Sequence, residues 1–156
     1  YSRYRDVVEE PWDLWFVGEG PQGDLLEGEP GVRGFGFQPP RDCADILAKA
    51  GAFVIASYHE GWVLALHEAT SAGLPVICSQ QCGSNVELVT DGYNGYNFEA
   101  GDIDHLTEVM VRLSSKSDTE LQEMGRRSHE LSRQFTPERW ADNLLEGIES
   151  LRKVEQ

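Results

Sequence analysis

The chain has no long apolar run: no stretch of its 156 residues approaches the ~20 that a helix needs to cross a bilayer, and no secretory leader pattern is visible. It is also short of positive charge. Lys and Arg number 13 against 27 Asp and Glu, a formal net charge of −14. That balance argues against nucleic acid or an anionic membrane surface as a direct partner, and suits a well-solvated exterior. Cysteine is scarce, with Cys43, Cys78 and Cys82 only. An odd number excludes a fully paired disulfide framework, and the Cys78/Cys82 spacing with no second pair excludes a zinc knuckle. Free thiols in a reducing compartment fit best, so a cytoplasmic location is expected. Internal repeats and low-complexity segments are absent. The length supports one domain with a good core and not two.

What is present is organised around Ser57–Ser79, SYHEGWVLALHEATSAGLPVICS. Ala52–Ala56 before it is a short apolar run of the type found in buried parallel strands. Val63–Ala72 carries apolar or small residues at 63, 64, 65, 66, 69 and 72 and predicts a largely buried helix. Gly73 stops it, and Leu74–Cys78 is a second strand. Strand, helix, strand is a βαβ unit, whose helix N-terminus faces out at the carboxyl ends of the strands. If that helix begins near Gly61, the amides of Gly61, Trp62, Val63 and Leu64 are unpaired donors suited to a phosphate. Glu60 lies at the mouth, and Glu68 lies about two turns in, roughly 10 Å down the axis on nearly the same face. Carboxylates accept from sugar hydroxyls, so Glu68 on a ribose and Glu60 near a second sugar is a coherent arrangement.

Before that unit, Tyr1–Val8 reads as the end of a helix and Asp13–Val17 as a strand closed by Gly18-Glu19-Gly20-Pro21. Gln22–Pro30 is a polar surface excursion, Val32–Phe37 a strand, and Asp42–Ala50 a helix with Cys43, Ile46, Leu47 and Ala50 on one face. After it come a polar loop, Ser79–Ser84, a helix at Asn85–Thr90, a turn at Asp91–Gly95 and a last strand at Tyr96–Phe98. Asp102 is placed to cap a helix over Ile103–Leu113, and Ser117–Ser132 is a further amphipathic helix. Thr136-Pro137 opens the C-terminal helix, expected over 137–153. The alternation predicts an α/β, doubly wound, Rossmann-like domain with five parallel strands. His59 and His67 fall roughly 80° apart on a helical wheel and make a poor metal pair.

The ordered run Glu60-Gly61-Trp62, Glu68-Ala69, Gly73-Leu74-Pro75-Val76, Cys82-Gly83, Glu87-Leu88-Val89, Asp91-Gly92 and Asn94-Gly95 resembles the group 1 (family 4) retaining glycosyltransferases of GT-B fold. The chain is similar to their C-terminal, donor-binding half. The resemblance implies transfer of a sugar from a nucleoside-diphosphate donor to an acceptor hydroxyl, with retention, in polysaccharide or glycoconjugate synthesis. It implies Glu60 beside the donor sugar, Glu68 on the ribose, and the amides of Trp62, Val63 and Leu64 on the diphosphate. It places the base at Gly36-Phe37 and the loop at Gly83-Ser84 beside the donor sugar. No cofactor or metal is expected.

The resemblance also implies a first strand and a basic glycine-containing loop preceding Tyr1, and an N-terminal domain that receives an acceptor sugar or lipid-linked sugar, the whole protein lying peripherally at the inner face of the membrane. All three chain segments are expected outside these 156 residues, so this piece alone is expected to bind a nucleotide weakly and transfer nothing. Where the family often has a second glycine two residues after Gly61, this sequence has Val63. Two other classes share these residues: a non-catalytic nucleotide-sugar-binding module, and a GT-B-type nucleotide-sugar epimerase.

Overall fold

The structure is a computed structural model that describes residues 1–25 and 28–154. Its elements run α1 (Ser2–Val7), β1 (Leu14–Phe16), β2 (Val32–Gly34), α2 (Pro40–Leu47), β3 (Phe53–Ile55) and α3 (Leu64–Ser71). They continue with β4 (Val76–Ser79), α4 (Asn85–Leu88), β5 (Gly95–Phe98), α5 (Ile103–Ser114), α6 (Asp118–Ser132) and α7 (Pro137–Val154). Of the predicted excursion at Gln22–Pro30, Gly23–Leu25 forms one tight helical turn, and residues 26 and 27 lie outside the described residues.

Among the described residues every strand pair is parallel, as the alternating pattern predicts, but the five strands form two sheets. β1 pairs with β2, and β3, β4 and β5 pair in that order. β1 and β3 are not hydrogen-bonded to each other, so each keeps one open edge. The core belongs to the three-stranded sheet. β4 is buried along its whole length, the signature of a central parallel strand covered on both faces. Val76 and Cys78 pack on one face with Leu66, Ala69 and Leu88, while Ile77 packs on the other with Tyr96, Phe98, Val109 and Leu113. Among the described hydrophobic residues before position 51, Tyr4 alone is buried.

Helix ends follow local chemistry. Asp102 caps α5 by accepting from the His105 amide at 2.8 Å, and Thr136 Oγ1 accepts from the Arg139 amide at 3.3 Å beside Pro137. Ser117 and Glu120 close a capping box on α6. α6 crosses the end of α3 backbone against backbone. An ideal Cβ on Gly125 would stand 2.1 Å from the Gly73 carbonyl oxygen, and Gly73 itself turns the chain at φ +77° into Leu74 and β4. Asn94 ties this corner together, its amide donating to Leu88 O at 2.9 Å and to Ser128 Oγ at 3.1 Å.

Candidate functional site

The carboxyl ends of β3 and β4 carry the two loops that meet at α3. Ser57–Val63 leaves β3, and Gln80–Ser84 leaves β4. They are stitched together by the Gly83 amide donating to Glu60 O at 2.9 Å and the Ser84 amide donating to Gly61 O at 3.2 Å. Gly83 has to be glycine for this closeness, since a Cβ there would lie 2.7 Å from Gly61 O. Two of the sequence-predicted site residues, Gly83 and Ser84, therefore meet two others, Glu60 and Gly61, through the backbone.

Glu60 is half-buried, and Ser57 Oγ donates to its Oε1. Beneath it lie the buried thiols of Cys78 and Cys82. Burial pushes the Cys78 thiol well above its ordinary range, with the neighbouring Cys82 and the Glu60 charge acting in the same direction. Burial also raises Cys82, partly offset by its contact with Cys78. The floor of the mouth is thus neutral and dry, and Glu60 is the carboxylate above it.

α3 begins at Leu64, three residues later than a start at Gly61, because Val63 stays extended as the N-cap (φ −85°, ψ 101°). The difference changes the amide inventory. Val63 N–H donates to Ser84 Oγ at 3.0 Å inside the protein, so it is already engaged. Gly61 and Trp62 precede the helix in a bend, and Leu64 opens its first turn, whose amides have no intrahelical partner. Trp62 packs against Phe135 with ring centroids 5.0 Å apart, yet remains 44% exposed.

Glu68 is exposed and points along α3 into a cleft of about 460 Å³ shared with α2, where it faces Pro40, Cys43, Ala44 and Leu47. Gly36, at φ +64°, accepts from the Gly18 amide at 2.8 Å and turns β2 toward α2. Phe37 follows with 73% of its surface exposed. The turn precedes α2, which lines the cleft along its length opposite Glu68, Ser71 and Ala72. His59 is exposed, whereas His67 is packed, its Nε2 3.3 Å from Ser132 O and its ring edge-on to Trp62. Among the described residues, no three His, Cys, Asp or Glu side chains gather as a metal site, and no helix is long and apolar enough to cross a membrane.

Sequence reasoning did not single out Ser57 or the α2 side of the cleft. A serine three residues before Glu60 at a strand end was the available signal for the first. For the second, Cys43 and Leu47 fit an ordinary apolar helix face, and only the packing of α2 beside α3 makes them a wall.

Comparison with known proteins agrees with this architecture. The UDP-Gal:alpha-D-GlcNAc-diphosphoundecaprenol alpha-1,3-galactosyltransferase of Escherichia coli is 40% identical over 73 residues, 47% of this chain and 19% of that enzyme. The lipopolysaccharide outer core galactosyltransferase WaaB in its apo form superposes with a TM-score of 0.78 at 21% identity, over 95% of this chain and 43% of that one. Anabaena Alr3699/HepE in complex with UDP gives 0.75 at 19% identity, over 89% of this chain and 41% of that one. These two likenesses speak to the fold, and the chain spans less than half of each of these three proteins. Residues 2–116 match the family described as glycosyl transferases group 1, and with the parallel α/β architecture of its GT-B neighbours the chain belongs to the group 1 glycosyltransferases.

Proposed function

We propose that this chain is the donor-binding half of a retaining hexosyltransferase that moves a sugar from a nucleoside-diphosphate donor to an acceptor hydroxyl in polysaccharide or glycoconjugate synthesis. The observation that carries the reading is the cleft between α2 and α3. Glu68 lines it together with Pro40, and Phe37 precedes Pro40 by three residues, which supports a ribose on the carboxylate and a base near the Gly36-Phe37 turn. Ribose hydroxyls donate to an exposed carboxylate without the cost of burying an unpaired charge.

From the ribose, the diphosphate runs to the start of α3. Gly61, Trp62 and Leu64 amides meet it there together with the positive end of the helix. Val63 contributes through Ser84, which anchors its amide and so fixes the bend. As the bond from the anomeric carbon to the diphosphate breaks, negative charge grows on the leaving group, and donors already in place lower the barrier. Glu60, held by Ser57, sits beside the donor sugar and stabilises positive charge developing at the anomeric carbon. The acceptor oxygen bonds to the anomeric carbon on the face the diphosphate leaves, and its proton passes to the departing phosphate oxygen. The diphosphate is held by these amides and the helix end, with no resident metal.

The acceptor, a sugar or lipid-linked sugar, belongs to a further domain in this reading, with the whole protein cytoplasmic and peripheral at the membrane. This chain alone then binds a nucleotide weakly and turns nothing over. Calorimetric titration with UDP, GDP and ADP, on the chain and on Glu68→Ala, tests the proposal. One nucleotide is expected to bind and to be lost in the variant. Binding that is absent throughout, or indifferent to Glu68→Ala, refutes the assignment.

A further inference from the structure

A second opening, of about 450 Å³, lies on the other side of Trp62, between that ring and the start of α7. Its volume falls within the ~300–1,000 Å³ usual for small-molecule sites. Trp62, Phe135 and Trp140 supply aromatic surface, and His67, Gln134 and Asn143 supply polar groups. Among the described residues, no carboxylate and no cation lines it. On a chain with 27 acidic and 13 basic residues, an opening of this size without a charged wall is a selective feature. A phosphate, a nucleotide or a charged peptide finds no ionic partner there.

The aromatic surface is held in place. Trp62 is wedged between Phe135, at 5.0 Å and 57°, and His67, at 6.1 Å and 86°. His67 is in turn fixed by its contact with Ser132 O. Trp62 is still 44% exposed, and Trp140, on the first turn of α7, is 68% exposed. That turn is fixed by Thr136, whose carbonyl accepts from the Trp140 amide at 3.0 Å. The fixed Trp62 ring, with its open face, binds without first losing side-chain freedom, and Trp140 stands on a fixed turn beside it. The side-chain amides of Gln134 and Asn143 are exposed and offer both donors and acceptors.

We propose that this opening binds a neutral pyranose ring. One face of such a ring presents a patch of C–H groups that stacks on an indole, while its rim of hydroxyls needs uncharged donors and acceptors. Trp62 follows Glu60-Gly61 directly, so a ring stacked on it sits at the edge of the mouth of α3. Taking that ring as the acceptor side of the transfer rests on the donor reading above. The binding itself does not.

The test is saturation-transfer NMR on the full chain with the methyl glycosides of glucose, galactose and mannose, with glucuronate as the charged probe and cyclohexanol as the apolar one. At least one methyl glycoside is expected to receive saturation, strongest on one face of its ring, and glucuronate less. Trp140→Ala, at an exposed position where folding is not at stake, is expected to weaken the interaction roughly tenfold or abolish it, and Trp62→Ala to do the same. Glu68→Ala and saturating UDP are expected to leave it unchanged. No transfer to any glycoside, transfer surviving both tryptophan substitutions, or equal transfer to cyclohexanol overturns the proposal, the last by marking an apolar docking face. Nucleotide titration of the same samples reports separately: its failure with glycoside transfer intact overturns the donor reading and supports this one.

Discussion

Gly125 and Gly147 both sit inside helices, α6 and α7, and replacing each with alanine should move stability in opposite directions. Intrinsic preference favours alanine over glycine by ~1 kcal/mol in a helix interior, and both substitutions stiffen the unfolded chain alike. At Gly147 nothing lies within 4 Å of the added methyl, so Gly147→Ala should stabilise by ~0.5–1 kcal/mol. At Gly125 the methyl would stand 2.1 Å from Gly73 O and 3.1 Å from Gly73 C, with Pro75 Cδ at 3.7 Å. A carbon-to-oxygen contact settles at ~3.3 Å or more, so the two backbones must part by about an ångström. Gly73 cannot give way cheaply, because its φ of +77° sets the entry into β4. Overpacking of this kind costs ~3 kcal/mol, which outweighs the helical gain and leaves Gly125→Ala about 2 kcal/mol less stable than the parent. Urea unfolding followed by circular dichroism measures both on one scale. Equal shifts in the same direction would refute the argument, since they would mean that α6 and α3 do not approach as closely as the structure has them.

Three further outcomes follow from the site. Gly83→Ala places a methyl 2.7 Å from Gly61 O and must displace the bend that carries Glu60; a roughly tenfold loss of nucleotide affinity by calorimetry is expected, and unchanged affinity would count against the stitched loops. A disulfide-exchange reagent should label Cys43 alone in the folded chain and all three cysteines in urea, because Cys78 and Cys82 are buried. Since the folded Cys78 and Cys82 thiols are held above their ordinary range while unfolded ones ionise near ~8.5, stability should fall as pH rises past that value, and the fall should shrink in Cys78→Ala, leaving the part due to Cys82.

Much of this was legible because periodicity and punctuation coincided. Phe53–Ile55 and Val76–Ser79 are apolar runs bounded by turns, Gly73 ends α3 as read, and Asp102 and Thr136 cap the helices assigned to them. The misses have physical causes. The start of α3 slipped to Leu64 because Ser84, 21 positions away, captures the Val63 amide, and no local pattern encodes that bond. The division into two sheets was equally hidden, since Leu14–Phe16 and Phe53–Ile55 each carry a strand's composition whether or not they pair with each other. The Glu60 and Glu68 spacing could be read along the chain, whereas Ser57, the α2 wall and the uncharged opening beside Trp62 needed the packed chain to become visible.

The division between the sheets bears on how the molecule comes apart. No ladder bonds β1 to β3, and the hydrophobic side chains buried outright lie almost wholly beyond residue 51. The β1–β2 half is therefore joined to the rest by side-chain and helix contacts, such as α1 on α5, which can release without breaking a central ladder. It forms a low-energy opening unit, or foldon, whose amides exchange with solvent long before those of β4. The Gly36-Phe37 turn travels with that unit, while Glu68 stays with the persistent one. A ligand gripping both would act as a clasp across the two, and its binding would register as slowed exchange throughout β1 and β2.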